Sequence, residues 1–238
     1  MLVAAAVCPC PPLLVPEVAA GAAPELDAAR AACTDALGVL AAARPDRLVV
    51  LGPAEQSGRG THPEGTPGSF RGFGVEVDVR LGGRGADGPS EGRLPPSLAV
   101  AAWLLERTGW SDAPIEGLGV GEPLAAERCI QVGRDIATRA ERVALLVMGD
   151  ASACRTLKAP GYFDERAAPF DAEVARALGT ADVAALKALD SELAYELKAS
   201  GRAPWQVLAG AAEGADLAGT LLYDDAPYGV GYVVATWS

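Results

Sequence analysis

Seven side chains stand where their types and spacing can do chemistry: Cys10, Glu55, His62, Asp150, Ser152, Cys154 and Asp225. A thiolate attacks electrophilic carbon and binds soft metals. Cys10 and Cys154 are therefore candidate nucleophiles, and Cys10 with His62 the candidate metal ligands. Cys10, Cys154 and His62 together would suit Zn or Cu(I) if the chain brought them together. A Cys–His catalytic pair would need hydrogen-bond reach between His62 and one of the thiols. Asp150 follows an apolar run and a glycine, which aims its carboxylate into a strand-end crevice. There it can bind a ligand hydroxyl or amine, or cap the next turn through backbone N–H groups. The candidate catalytic residues are Cys10, Asp150 and Cys154. The candidate ligand crevice is Cys10, Glu55, His62, Asp150, Ser152 and Asp225. Each also has a plainer role: a small buried thiol, a solvated loop Glu, a surface-loop His.

Three apolar runs must position these residues. Leu2 to Cys8, Arg47 to Gly52 and Arg142 to Met148 are short, almost wholly apolar, and stopped by Gly or Pro. That pattern fits strands buried on both faces of a parallel sheet. The loops that follow them are Pro9–Pro12, Gly52–Glu55 and Gly149–Cys154, and all belong at one sheet edge. Pro24 to Ala43, Leu94 to Thr108 and Leu124 to Ala140 read as helices, with shorter helical pieces at 170–178, 183–189 and 191–199. Pro204 sits near the first turn of another helix. Phe73 to Leu81 alternates like a half-exposed strand, Ile115 to Val120 is a short strand, and 217–223 and 229–237 close the sheet. The stretch 54–69 reads as a polar loop, and 82–96 as a flexible internal loop. The fold class expected is a single α/β domain over residues 1–238. It is a three-layer α/β/α sandwich with a mostly parallel, mixed-edge central sheet.

The chain has 238 residues, 20 Lys and Arg against 31 Asp and Glu, and a net charge of −11. That balance excludes a nucleic-acid or anionic-membrane partner that needs a basic patch. No apolar run reaches the ~18 residues of a bilayer span. The N-terminal run lacks a basic lead and meets proline early, so it reads as a strand and not as a signal peptide. The five cysteines, Cys8, Cys10, Cys33, Cys129 and Cys154, are odd in number and irregularly spaced. Free thiols in the cytoplasm are expected.

Six segments, in order, carry a family resemblance. CPCPPLLVPEV at residues 8–18 resembles the strand-one motif of the LigB-like superfamily, the class III extradiol ring-cleavage dioxygenases and their Memo-like relatives. RLVVLGP at 47–53 is similar to its second motif and VMGDASAC at 147–154 to its third. APFDAEVARAL, SGRAPWQVLAG and YGVGYVVATW resemble the later helices and closing strand. The resemblance implies a LigB-like fold and, in ring-cleaving members, Fe(II) held by two His and a carboxylate. Here the first His position falls on Cys10, the second on Ala54, and that of the third loop on Ala153 or Cys154. With one His in the chain, a two-His triad cannot be assembled. The expectation is a LigB-like domain with a degenerate iron site, acting as a binding or interaction protein for an unidentified small molecule or protein, with no cofactor. The alternatives are an enzyme of changed chemistry, metal- or thiol-dependent with Zn as the metal, and a residual Fe(II) ring-cleavage dioxygenase.

Overall fold

The computed structural model describes residues 1–82 and 92–238. Strands β1 (Leu2–Cys8), β2 (Arg47–Pro53), β6 (Ile115–Val120) and β7 (Val143–Met148) run parallel, in the order β6-β2-β7-β1. β3 (Gly60–Pro63) adds antiparallel to β6. On the other side β9 (Tyr232–Trp237) adds antiparallel to β1, and β8 (Gly219–Asp225) antiparallel to β9. This gives one seven-stranded sheet, β3-β6-β2-β7-β1-β9-β8. A separate two-stranded ribbon pairs β4 (Pro67–Ser69) with β5 (Asp78–Arg80).

Successive strand residues face opposite sides of a sheet, and both sides here are covered. Ala4, Ala6, Cys8, Leu48, Val50, Leu146 and Met148 pack with α2 (Asp27–Ala42) and α3 (Pro96–Thr108). Ala5, Val7, Val49, Leu51, Leu145 and Val147 pack with α4 (Ala126–Ala137), α5 (Ala167–Gly179) and α8 (Arg202–Ala211). A short α1 (Pro16–Ala19) precedes α2, and α6 (Val183–Lys187) and α7 (Ser191–Glu196) lie between α5 and α8. The architecture is the three-layer α/β/α sandwich with a mostly parallel sheet. The three apolar runs are interior strands, as continuous hydrophobicity requires.

The connectivity makes a crevice. After β1 and β2 the chain leaves toward the α2/α3 face; after β6 and β7 it leaves toward the α4/α5/α8 face. Neighbours in β6-β2-β7-β1 thus diverge at each junction, and such divergence opens a cleft beyond the strands' carboxyl ends.

Three local expectations are corrected. The 54–69 stretch holds β3 and β4, whose Gly and Pro residues mask strand pairing in a sequence. Of the expected strand Phe73 to Leu81, only Asp78–Arg80 pairs, because Arg71–Phe73 forms a 3-10 turn ended by Gly74 at φ 85°. Residues 83–91 of the expected flexible loop lie outside the described residues. Its C-terminal part is anchored: Leu94 and Pro95 are buried, and the Leu94 N–H donates to the Pro67 carbonyl at 2.9 Å. Among the described residues, no helix is long and apolar enough to cross a membrane.

Candidate functional site

The loops after β1 and β7 are pinned to each other. The Cys10 backbone N–H donates to Asp150 Oδ1 at 2.8 Å, and the Gly149 N–H to the Cys8 carbonyl at 3.0 Å. The residues just before α8 complete the clamp. The Asp150 N–H donates to Ser200 Oγ at 3.1 Å, and the Gly201 N–H to the Asp150 carbonyl at 2.9 Å. This approach depends on glycine, since a Cβ on Gly149 would lie 2.4 Å from the Gly201 Cα. Asp150 therefore does part of the capping job expected of it, across two loops and not within its own turn.

Its environment sets its chemistry. Burial raises the Asp150 carboxyl from its ordinary value to about 7, against the opposing pull of hydrogen bonds from Cys10. Burial also pushes the Cys10 thiol well up, and the Asp150 charge pushes it further. Cys10 is thus a protonated, buried thiol at neutral pH and a poor nucleophile. The Tyr232 hydroxyl is raised by burial first and by the Asp150 charge second.

Cys10 is also part of the wall of a cavity of about 830 Å³ at the strand ends. Pro53, Ala54, Pro95, Pro96 and Pro123 give it an apolar lining, and Glu55, Arg59, Arg93 and Glu122 supply charge. Glu122 is already engaged: its carboxylate Oε1 lies 3.1 Å from Arg202 Nη2. The buried Arg202 also donates to the Leu124 carbonyl at 2.7 Å and to Gln206 Oε1 at 3.1 Å. It ties the β6–α4 rim of the cavity to α8.

The remaining candidates do not join this site. Ser152 is fully buried, and its N–H and hydroxyl donate to Asp171 Oδ1 and Oδ2 at 2.8 and 2.9 Å. Arg155 pairs with Asp171 at 3.1 Å, so this group anchors the loop after β7 to α5. Cys154 is buried with its thiol 3.5 Å from the Leu197 carbonyl, and burial raises it too. Asp225 lies exposed on the outermost strand, where its Oδ1 accepts the Ala226 N–H at 2.7 Å. His62 is buried on β3, and its Nε2–H donates to the Gly58 carbonyl at 2.9 Å.

The Cys10–His62 metal pair and the Cys–His catalytic pair are therefore corrected. β3 and β1 are separated by β6, β2 and β7, four strand spacings or about 19 Å. His62 stays inside because it fills the edge of the sheet opposite Gly117. Among the described residues, no group of three or more His, Cys, Asp or Glu could hold a metal ion. Ser200, Asp171 and Arg202 escaped the sequence reading. Each is a common residue type whose role arises only from contacts 19 to 80 residues away along the chain.

No family model matches the sequence, and no curated protein is significantly similar to it. Among solved structures, the crystal structure of uncharacterized protein JW3007 from Escherichia coli K12 is similar to this chain. It shares 15% identity with a TM-score of 0.52, over 99% of this chain and 99% of that one. At that identity the likeness is one of fold.

Proposed function

We propose that the chain is a LigB-like domain whose iron site has degenerated, and that it binds a small molecule in the crevice beside Cys10. One observation carries the reading: a cavity of about 830 Å³ remains at the carboxyl ends of the parallel strands, without the donors that Fe(II) needs. An Fe(II) facial triad takes two imidazoles and a carboxylate and leaves open positions for substrate. The matching positions offer a buried thiol at Cys10, a methyl at Ala54, and Ala153 or a buried thiol at Cys154. That donor set does not fit iron. It fits Zn no better, because Cys10, Cys154 and His62 are each engaged in separate packing. A cavity lined by proline and a few charged groups still suits a partly apolar organic ligand.

A second reading, acid–base catalysis, would use Asp150, which sits behind the cavity wall and accepts the Cys10 N–H. A carboxyl shifted to about 7 is near the optimum for proton transfer at neutral pH.

The test is anaerobic Fe(II) reconstitution followed by iron analysis and assay of ring-opened product with several catechols. Substoichiometric iron and no turnover are expected. Stoichiometric iron with turnover that Cys10→Ala abolishes would restore the dioxygenase reading.

A further inference from the structure

A second cavity, of about 650 Å³, meets the crevice at Arg93 and lies between the β4–β5 ribbon and the C-terminal half of α3. It reaches Ile115, the first residue of β6, and so descends toward the amino-terminal edge of the parallel strands. Its charge runs against the rest of the molecule. The chain has 31 acidic against 20 basic residues, yet three arginines face two carboxylates here.

Both carboxylates are already committed. Asp78 Oδ2 pairs with Arg71 at 2.7 Å, and Glu106 Oε1 accepts the Arg80 backbone N–H at 2.8 Å. The Arg80 guanidinium uses Nη1 on the Gly65 carbonyl at 3.2 Å. Arg93 makes no hydrogen bond or ion pair among the described residues. The guanidinium donors of Arg80 and Arg93 therefore exceed the acceptors present, and a guanidinium fork matches carboxylate or phosphate oxygens. The other wall is apolar. Leu105 and Ile115 flank Trp110, whose indole N–H is taken by the Ala113 carbonyl at 3.1 Å, leaving its ring for packing.

We propose that this cavity is a second binding site, taking a small organic anion that joins a phosphate or carboxylate to a flat apolar body. The anion is held by Arg80 and Arg93, and the body lies on the Trp110 side. Arg93 lines the crevice as well, so the two sites adjoin at that residue.

Calorimetric titration of the full chain with phenyl phosphate, benzoate and inorganic phosphate tests this. Saturable binding below about 10 mM is expected for phenyl phosphate or benzoate, weaker for inorganic phosphate, and weakened by about 0.5 M salt. The better of phenyl phosphate and benzoate names the anionic group. Arg80→Gln and Arg93→Gln should each weaken binding by roughly tenfold, the loss of a charge-assisted hydrogen bond. Trp110→Ala should reduce phenyl phosphate to the affinity of inorganic phosphate. Cys10→Ser and Glu55→Gln, in the crevice wall, should leave binding at this second cavity unchanged, whatever they do to binding in the crevice. Arg93 is exposed but lines both cavities, so if Arg80→Gln fails to fold, Trp110→Ala, outside the crevice, assigns the binding to this cavity. Three results would overturn the proposal: no saturation by about 10 mM, binding unaffected by Arg93→Gln, or binding lost in Cys10→Ser. The last would move the ligand into the crevice without harming the reading of that crevice.

Discussion

Asp150 makes the clamp behind the crevice wall pH-sensitive. Its carboxyl titrates at about 7 in the folded chain because burial disfavours its charge, against an ordinary value of 3.8. Between those values the folded chain holds a proton that the unfolded chain has released. Stability from this group is therefore full below about 4 and is lost as pH rises to about 7. Asn at this position keeps an oxygen acceptor for the Cys10 N–H and cannot ionise. The melting temperature of the wild type, relative to Asp150→Asn, should fall from pH 4 to pH 7 and level off above. Parallel curves for the two proteins would place the titration elsewhere. Cys10 acts with Asp150 as a packed thiol, and its raised pKa removes the thiolate that nucleophilic chemistry would need.

The helix that supports this clamp is seated by backbone contact. α4 and α8 meet so closely that a Cβ on Gly133 would lie 2.0 Å from the Val207 carbonyl oxygen. One on Gly210 would lie 2.1 Å from that of Ile130. Neither backbone can move aside as a flexible side chain can. Gly210→Ala should therefore destabilise by about 1–3 kcal/mol or more. That corresponds to a fall of about 2–4 °C in Tm for each kcal/mol in a chain of this size. Gly38→Ala is the matched control. Gly38 lies exposed within α2 with nothing within 4 Å of an added Cβ. It should gain roughly 0.5–1 kcal/mol from helix propensity. Equal effects at the two sites would refute the close α4–α8 approach. Because Arg202 and Ser200 connect this helix to Glu122 and Asp150, its seating also sets the crevice rim.

At the scale of the molecule, all five cysteines are free and buried, Cys8, Cys10 and Cys33 in the core under α2 and α3 and Cys129 and Cys154 in the core on the other face of the sheet. Thiol reagent should react slowly with the native protein, and about five thiols should titrate after denaturation without reductant. A value near three or one would mean disulfides. Both sheet edges are shaped against pairing with other chains. β3 is four residues long and ends in Pro63, and β8 carries an irregularity between Leu221 and Tyr223 and the acidic pair Asp224–Asp225. Short, bulged and charged edges discourage strand addition, and the net charge of −11 adds long-range repulsion between copies.

The architecture was legible because burial on both faces leaves a one-dimensional trace. Leu2 to Cys8, Arg47 to Gly52 and Arg142 to Met148 could be read as interior strands from apolar continuity and Gly or Pro stops alone. The same stops placed Cys10, Glu55 and Asp150 at one sheet end. The absence of a two-His triad was also legible, since it is a count. What sequence spacing could not determine was lateral order. His62 lies only seven residues after Glu55, yet the antiparallel turn of β3 carries it to the far edge of the sheet. Asp150 and Cys10 are 140 residues apart, and inserting β7 between β1 and β2 brings them to 2.8 Å. Ser152 lies in the loop after β7 and Asp225 ends β8, but one turns inward to Asp171 and the other outward to solvent. Local chemistry decides which residues can sit at a strand end. Strand order, which depends on packing across the whole sheet, decides which of them meet.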